Sequence, residues 1–189
     1  MRPAANAVRW GAVSQALHWL VVLLVLVMAG LGLVMVELPN TALKVRLYGL
    51  HKSLGLTILA LMLLRLAWRL HAGAPPAIAG IPRWQARAAA LTHGLLYALL
   101  LAMPVSGWVI NASSGFPLRW FGLFSVPQFG GRDDALNALA KGWHEALFWS
   151  LVVLALGHAF AAVWHHLFQR DATLARMLPR GWLDEEDPL

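Results

Sequence analysis

Eight histidines stand in a chain of 189 residues that contains no cysteine. Four of them lie within or at the edge of long apolar stretches, namely His18, His51, His144 and His158. A titratable side chain in such surroundings is costly to bury, which makes it a functional candidate by default. Each one alone is equally well explained as a structural hydrogen-bonding residue. Whether the four histidines have a functional role must therefore be judged from how they are spaced.

His144 and His158 are 14 residues apart in one apolar stretch. On a helix this spacing separates them by about 21 Å and places them within about 40° of the same face. If successive helices alternate in direction, His51 lies at the depth of His144, and His18 lies at the depth of His158. We call the first two the outer pair and the last two the inner pair. Facing helices of a bundle build cofactor sites in this way.

The chemistry predicted for each pair is axial ligation of haem iron. Zinc prefers four protein ligands in a tetrahedron, whereas each depth supplies two histidines. Two ligands on opposite sides are what a haem iron needs once its porphyrin has supplied four nitrogens. Because no Cys-x-x-Cys-His motif occurs, the haem would be held without a covalent bond. The pattern predicts two haem b groups, with the four histidines as ligands of the iron.

Small residues flank two of the proposed ligands and would leave room for a flat ring. Gly49 and Gly55 stand on either side of His51, and Gly157 and Ala159 adjoin His158. Ordinary close packing of membrane helices explains the same residues equally well.

A second group of residues near the inner pair is a candidate binding site for a quinone head group or a haem propionate. His165 continues the face of His158 seven residues further on, and His93 lies at a similar depth in the third apolar stretch. Arg69 would stand beside them. The alternative is an interfacial role in contact with water and lipid.

Basic residues would gather near the outer pair and form a positively charged mouth, consisting of Lys44, Arg46, Lys52 and Arg119. Such a funnel attracts small anions and raises their rate of arrival. Superoxide is one candidate. Contact with lipid phosphates or haem propionates is the alternative.

The elements that position these residues are predicted from composition and length. Hydrophobic residues make up 59% of the chain and charged residues 13%, against about 25% charged in a soluble domain. A membrane-spanning helix needs about 20 mostly apolar residues. Four stretches qualify, at about 13–36, 47–67, 88–110 and 144–168. We therefore expect an all-α membrane protein with one domain over residues 1–183, a bundle of four transmembrane helices in the lipid bilayer that encloses two haems.

Several shorter segments complete this picture. The first apolar stretch is too long for a signal peptide, so we expect it to be retained as a helix. Asp133 and Asp134 are expected to begin a short helix over residues 135–140. The acidic tail 184–189 is expected to be disordered. The net charge of +6 is scattered between apolar runs, so nucleic acid is not expected as a partner.

Basic residues predict the orientation. An even number of helices puts both termini on one side, and that side carries nine Lys and Arg residues, including Arg2, against six on the other. Because cytoplasmic loops are enriched in these residues, both termini are expected in the cytoplasm.

Short motifs around the four histidines resemble those of the bacterial cytochrome b561 family of di-haem proteins of the inner membrane. The matching pieces are Leu17-His18-Trp19, Leu50-His51-Lys52-Ser53, Gly142-Trp143-His144-Glu145 and Gly157-His158-Ala159, followed by a tail over residues 165–180. The resemblance runs from about Arg9 to Arg180. It implies that the four histidines are the haem ligands, that electrons are exchanged with membrane quinone, and that superoxide is a donor in some members.

Two alternatives stay open at this point. The four-helix plan is also similar to the cytochrome b subunits that anchor hydrogenases and formate dehydrogenases, in which case a redox partner protein would dock on the chain. A haem-free transporter or assembly factor is the alternative from a different class.

Overall fold

Four long helices dominate the computed structural model, which describes residues 9–78 and 80–183. They are α1 (Ala12–Glu37), α2 (Ala42–Ala72), α3 (Arg83–Ser114) and α4 (Asp134–Trp164). Each is long and apolar enough to cross a membrane, which agrees with the predicted four-helix membrane bundle. The predictions that concern Arg2 and the acidic tail 184–189 fall outside the described residues.

Two of the helices, α2 and α4, begin before their apolar stretches, and a side chain caps the start of each. The side chain of Thr41 accepts a hydrogen bond from the backbone N–H of Lys44 at the start of α2. Asp133 does the same for Leu136 at the start of α4, at 2.9 Å. The short helix expected over 135–140 is the first part of α4 and not a separate element. Its cap lies where the sequence indicated, but nothing after it breaks the helix.

Helices that follow one another in the chain pack side by side, in the order α1, α2, α3 and α4. Within the described residues, α4 makes almost no close backbone contact with α1 or α2. The apolar core lies at mid-depth, where Val21, Ile58 and Met62 are buried together. Leu100 and Tyr97 of α3 pack against them. The core therefore lies among α1, α2 and α3.

The long connection between α3 and α4 folds into a small antiparallel hairpin. Its strands are β1 (Arg119–Trp120) and β2 (Phe124–Ser125). Phe121 and Gly122 both have positive φ, at 46° and 76°, as a type I′ turn requires. Phe121 adopts this conformation without being a glycine, so the surrounding contacts must hold it there.

Hydrogen bonds to Ser53 and Thr57 fasten the hairpin to α2. The buried hydroxyl of Ser53 accepts from the backbone N–H of Phe121 at 2.9 Å. The indole N–H of Trp120 donates to Thr57 at 3.1 Å. Since Ser53 is two residues from His51 in α2, the hairpin packs on α2 near the depth of the outer pair.

The segment after α4 turns back across the start of α1. It begins with a π-helical turn at His165–Gln169 and contains a 3₁₀ turn at Ala175–Met177. We call residues 170–183 the C-terminal strap. Arg176 is buried and donates to the carbonyl of Pro76 at 2.7 Å, while Gln15 of α1 donates to the Leu178 carbonyl at 2.9 Å. The strap thus ties α1 to the connection between α2 and α3.

Asp171 anchors the beginning of this strap. Its carboxylate accepts hydrogen bonds from the His165 ring at 2.5 Å and from the Thr173 N–H at 2.8 Å. Burial by itself raises the pKa of Asp171, but these hydrogen bonds outweigh it and hold the pKa below its ordinary value. A carboxyl whose pKa is lower in the folded protein stabilises the fold above its ordinary pKa, and this contribution is lost as the pH falls.

Asp171→Ala is therefore expected to lower the free energy of unfolding by about 1–3 kcal/mol at neutral pH, because it leaves two donors without their charged acceptor. The difference from the wild type should shrink as the medium is acidified. Thermal unfolding in detergent at several pH values measures this. Asp134→Ala is the matched control, since its ion pair with Arg132 is exposed and such pairs contribute about 0–1 kcal/mol. Equal effects of the two substitutions would contradict the anchoring role.

Candidate functional site

The structure brings the four histidines together as two pairs at two depths. The ring centres of His51 and His144 are 6.3 Å apart, with 66° between the ring planes. Those of His18 and His158 are also 6.3 Å apart, with an angle of 78°. Each pair joins α4 to a helix whose backbone hardly approaches it. Side chains therefore meet across an interior that the helix backbones leave open.

The distance within each pair fits two imidazoles bound to opposite sides of one metal. With about 2.0–2.1 Å from metal to nitrogen and about 1.1 Å from nitrogen to ring centre, the ring centres lie about 6.2–6.4 Å apart. Within residues 9–78 and 80–183, no group of three or more His, Asp or Glu side chains is arranged to hold a metal ion. The donor set thus fits a metal that brings its other ligands with it, as haem does.

His144 is held by a serine of the neighbouring helix. The Ser106 hydroxyl lies 2.8 Å from Nδ1 of His144 and donates to the Met103 carbonyl at 2.7 Å. Nδ1 is therefore engaged, and Nε2 is the ring nitrogen left for a metal. Gly107, the next residue, lies so close to this ring that a Cβ built on it would be 3.4 Å from Cε1 of His144.

His51 is placed in a similar way against α1. A Cβ built on Gly32 would be 3.4 Å from Cε1 of His51 and 3.9 Å from its Nδ1. The Nδ1 atom is buried and has no hydrogen-bond partner among the described residues. Both rings of the outer pair thus turn their Cε1–Nδ1 edge toward a glycine of a helix that carries neither ligand.

The glycines singled out from the sequence have a different position. A Cβ at Gly49 or Gly157 would meet nothing within 4 Å, and at Gly55 it would meet only the end of Met28 at 3.7 Å. Sequence neighbours of a histidine point to other faces of its helix. The glycines that contact the rings of the outer pair come from other helices, and the sequence alone carried no signal for them.

His93 lies next to the inner pair. Its ring centre is 5.2 Å from that of His158. This is about an ångström less than two ligands on opposite sides of one metal require, so His18 is the geometric partner of His158. His93 instead occupies a place from which it can contact a group bound between the two.

Arg65 of α2 lies at the same end of the bundle, near His18 and His158. It is half-buried and donates to the Tyr97 hydroxyl at 3.2 Å. It thus faces Tyr97 of α3 inside the bundle. Nothing in the sequence indicated Arg65 as a site residue, because this contact is made between two helices.

The other members of the predicted inner group have separate partners. The Arg69 guanidinium lies 4.5 Å from the ring centre of Trp10, a cation–π contact. His165 is paired with Asp171. The structure thus brings His93 to the inner pair and engages Arg69 and His165 with the N-terminal segment and the strap.

The basic residues near the outer pair differ in their contacts and in their exposure. Lys44 donates to the carbonyls of Val36 and Leu38 at 3.3 and 2.7 Å, so it caps the end of α1. Arg46 and Arg119 are exposed, while Lys52 is half-buried beside His51. The exposed arginines are the ones whose charge is available to a ligand from solution.

Comparison with known proteins relates this chain to a single family. A family model described as prokaryotic cytochrome b561 matches residues 9–180. Cytochrome b561 homolog 2 of Escherichia coli is 37% identical over 180 residues, which cover 93% of this chain and 94% of that protein. Cytochrome b561 homolog 1 of the same organism is 36% identical over 69% of this chain and 73% of its own length. A protein of Yersinia pestis named probable superoxide oxidase CybB is 30% identical over 91% of this chain and 97% of its own length.

Proposed function

We propose that this chain, which belongs to the prokaryotic cytochrome b561 family, binds two haems and conducts electrons from one face of the membrane to the other. As a member of that family it is a multi-pass bacterial membrane protein that binds b-type haem and transfers electrons. His51 and His144 would hold one haem, and His18 and His158 the other. The observation that carries this proposal is the 6.3 Å separation of the ring centres in both pairs.

The side chains of each pair determine what kind of chemistry is favoured. A bound haem supplies one-electron exchange. With a histidine from each of two helices holding it, a bound haem would be suited to electron transfer and would not bind oxygen. The 14 residues between His144 and His158 place the two levels about 21 Å apart on α4.

The proposed orientation follows the excess of basic residues on the side of the termini. Both termini would lie in the cytoplasm, so the outer pair would be near the periplasmic face of the inner membrane. Arg65, close to the inner pair and half-buried, is suited to balance the negative charge of a haem propionate.

We also propose that membrane quinone exchanges electrons at the inner level, beside His93. His93→Leu is then expected to slow electron exchange with quinone by roughly 10²-fold or more, the range for a lost proton-transferring group, while both haems stay bound. His165→Leu should have a smaller effect, because His165 is engaged with Asp171. Stopped-flow oxidation of the reduced protein by a soluble quinone measures this, with His71→Leu as control. Loss of a haem in His93→Leu would contradict the assignment, and unchanged kinetics would remove His93 from the quinone site.

Superoxide is our proposed donor at the outer level, a proposal supported by the name of the Yersinia pestis relative, probable superoxide oxidase, and by the exposed Arg46 and Arg119. Each superoxide would lose one electron and leave as dioxygen. Two such electrons with two protons would convert one quinone to its quinol. The chain would then act as a superoxide:quinone oxidoreductase.

If those arginines attract superoxide, reduction of the protein by superoxide should slow as salt rises, because exposed charges are screened beyond about 8 Å at physiological ionic strength. Arg46→Gln with Arg119→Gln should slow it about tenfold at low salt and flatten the salt dependence. Arg83→Gln with Arg87→Gln changes the net charge equally at the opposite end and is the matched control. A fast, salt-independent reaction in the first double variant would show that these charges serve lipid contact.

A further inference from the structure

We propose that Ser106 is a positioning residue for the outer haem. It fixes the ring orientation and the proton of His144, and through that ligand it sets the reduction potential at the outer level. The inference rests on the proposed ligand role of His144 and adds to it a residue outside the four histidines.

The proposed ligand role of His144 determines where the hydrogens lie. If Nε2 of the neutral ring binds the iron, Nδ1 carries the ring proton. Nδ1–H then donates to the Ser106 hydroxyl across 2.8 Å, and the one hydrogen of that hydroxyl is donated to the Met103 carbonyl at 2.7 Å. A neutral imidazole in this tautomer is the form that binds a metal through Nε2.

The local sequence of α3 explains why this contact forms at Ser106. Gly107 follows immediately, and the missing side chain lets the His144 ring approach α3 closely. Ser106 thus supplies the polar contact to the His144 ring, and the next residue, Gly107, leaves space for that ring.

The two ligands of the outer level are held differently. Nδ1 of His144 has a hydrogen-bond acceptor, whereas Nδ1 of His51 has no partner within the described residues. Donation from Nδ1–H makes the opposite ring nitrogen a stronger electron donor. Because a stronger donor stabilises oxidised iron more than reduced iron, the Ser106 contact lowers the reduction potential at this level.

Ser106→Ala tests the proposal in the full-length, haem-loaded protein. Redox titration followed by optical spectra should resolve two components, and only the outer one should move to higher potential. The expected shift is about tenfold in the reduction equilibrium, or ~59 mV for one electron. The outer haem should also dissociate about 10–100-fold more readily. Ser106→Thr keeps the hydroxyl and should restore both properties. Ser150→Ala is the control, because Ser150 bonds only to the Ala146 carbonyl in the same helix turn.

The possible outcomes distinguish a failure of the Ser106 role from a failure of the proposed ligand pair. Two bound haems with unchanged potentials in Ser106→Ala would overturn the role of Ser106 alone, provided His144→Ala still removes one haem. Loss of the outer haem in Ser106→Ala with retention in Ser106→Thr supports the role, whereas loss in both overturns it in favour of packing. If His144→Ala retained both haems, the proposed ligand pair would fail, and the role of Ser106 with it.

Discussion

Replacing His51 with alanine should remove half of the bound haem, and replacing His144 should remove the same half. The two rings lie on opposite sides of one site, and a haem that loses one of two axial ligands is no longer held at both faces. His18→Ala and His158→Ala should remove the other half. The double variant within a pair should lose no more haem than either single variant, because ligands of one metal act as a unit.

Haem content per chain and optical spectra of the purified variants measure this prediction. His71→Ala is a suitable control, since His71 is exposed and contacts Trp68 away from both pairs. A double variant across the pairs, such as His51→Ala with His158→Ala, should retain no haem. Pairing of His18 with His51 in such an experiment would contradict the geometry described above.

Gly32→Val should deplete the outer haem, although Gly32 is on a helix that carries neither of its ligands. A Cβ at Gly32 would already lie 3.4 Å from the ring of His51, and the two methyl groups of valine extend further toward that ring. The ring must then move from the position that faces His144. Since a displacement of about 1 Å spoils a metal–ligand distance that tolerates about 0.2 Å, most of the outer haem should be lost.

Gly30→Val is the matched control for this substitution. Gly30 is two residues away on α1, is exposed, and has nothing within 4 Å of a built Cβ. It adds the same side chain to the same helix and should leave both haems bound. Gly107→Val should behave as Gly32→Val does, through His144. Retention of the outer haem in Gly32→Val, or equal loss in Gly30→Val, would contradict the close approach as the cause.

The pairing in depth could be predicted from the sequence because it depends on regular quantities. The 14-residue spacing on α4 fixes two levels on one face, and alternating helix directions bring one other histidine to each level. The number of helices followed from apolar length in the same way. Their ends did not, since α2 and α4 begin before their apolar stretches, at the caps Thr41 and Asp133.

The contacts around the ligands could not be predicted, because they are made between helices. Gly32 and Ser106 are far in sequence from the histidines they contact, and the rotation of α1 and α3 decides whether they reach them. Lys44 illustrates the same limit at the surface. Its charge suggested an anion funnel, whereas the end of α1 places two free carbonyls within its reach.

Because the chain belongs to the cytochrome b561 family, it is a membrane cytochrome b and not the haem-free transporter or assembly factor considered as an alternative. The role as an anchor subunit for a larger dehydrogenase stays a prediction that co-purification can test. A stable second subunit in stoichiometric amount would support it, and a chain that purifies alone with both haems would favour the free-standing form.

The central claim is that each histidine pair holds one haem. The most direct measurement is the ratio of haem to protein in the purified chain, with haem determined by its pyridine complex and protein by amino-acid analysis. Two haems per chain, all released by acid-acetone because no cysteine can bind them covalently, is the predicted result. A ratio near one, or haem that stays on the protein after extraction, would contradict the account.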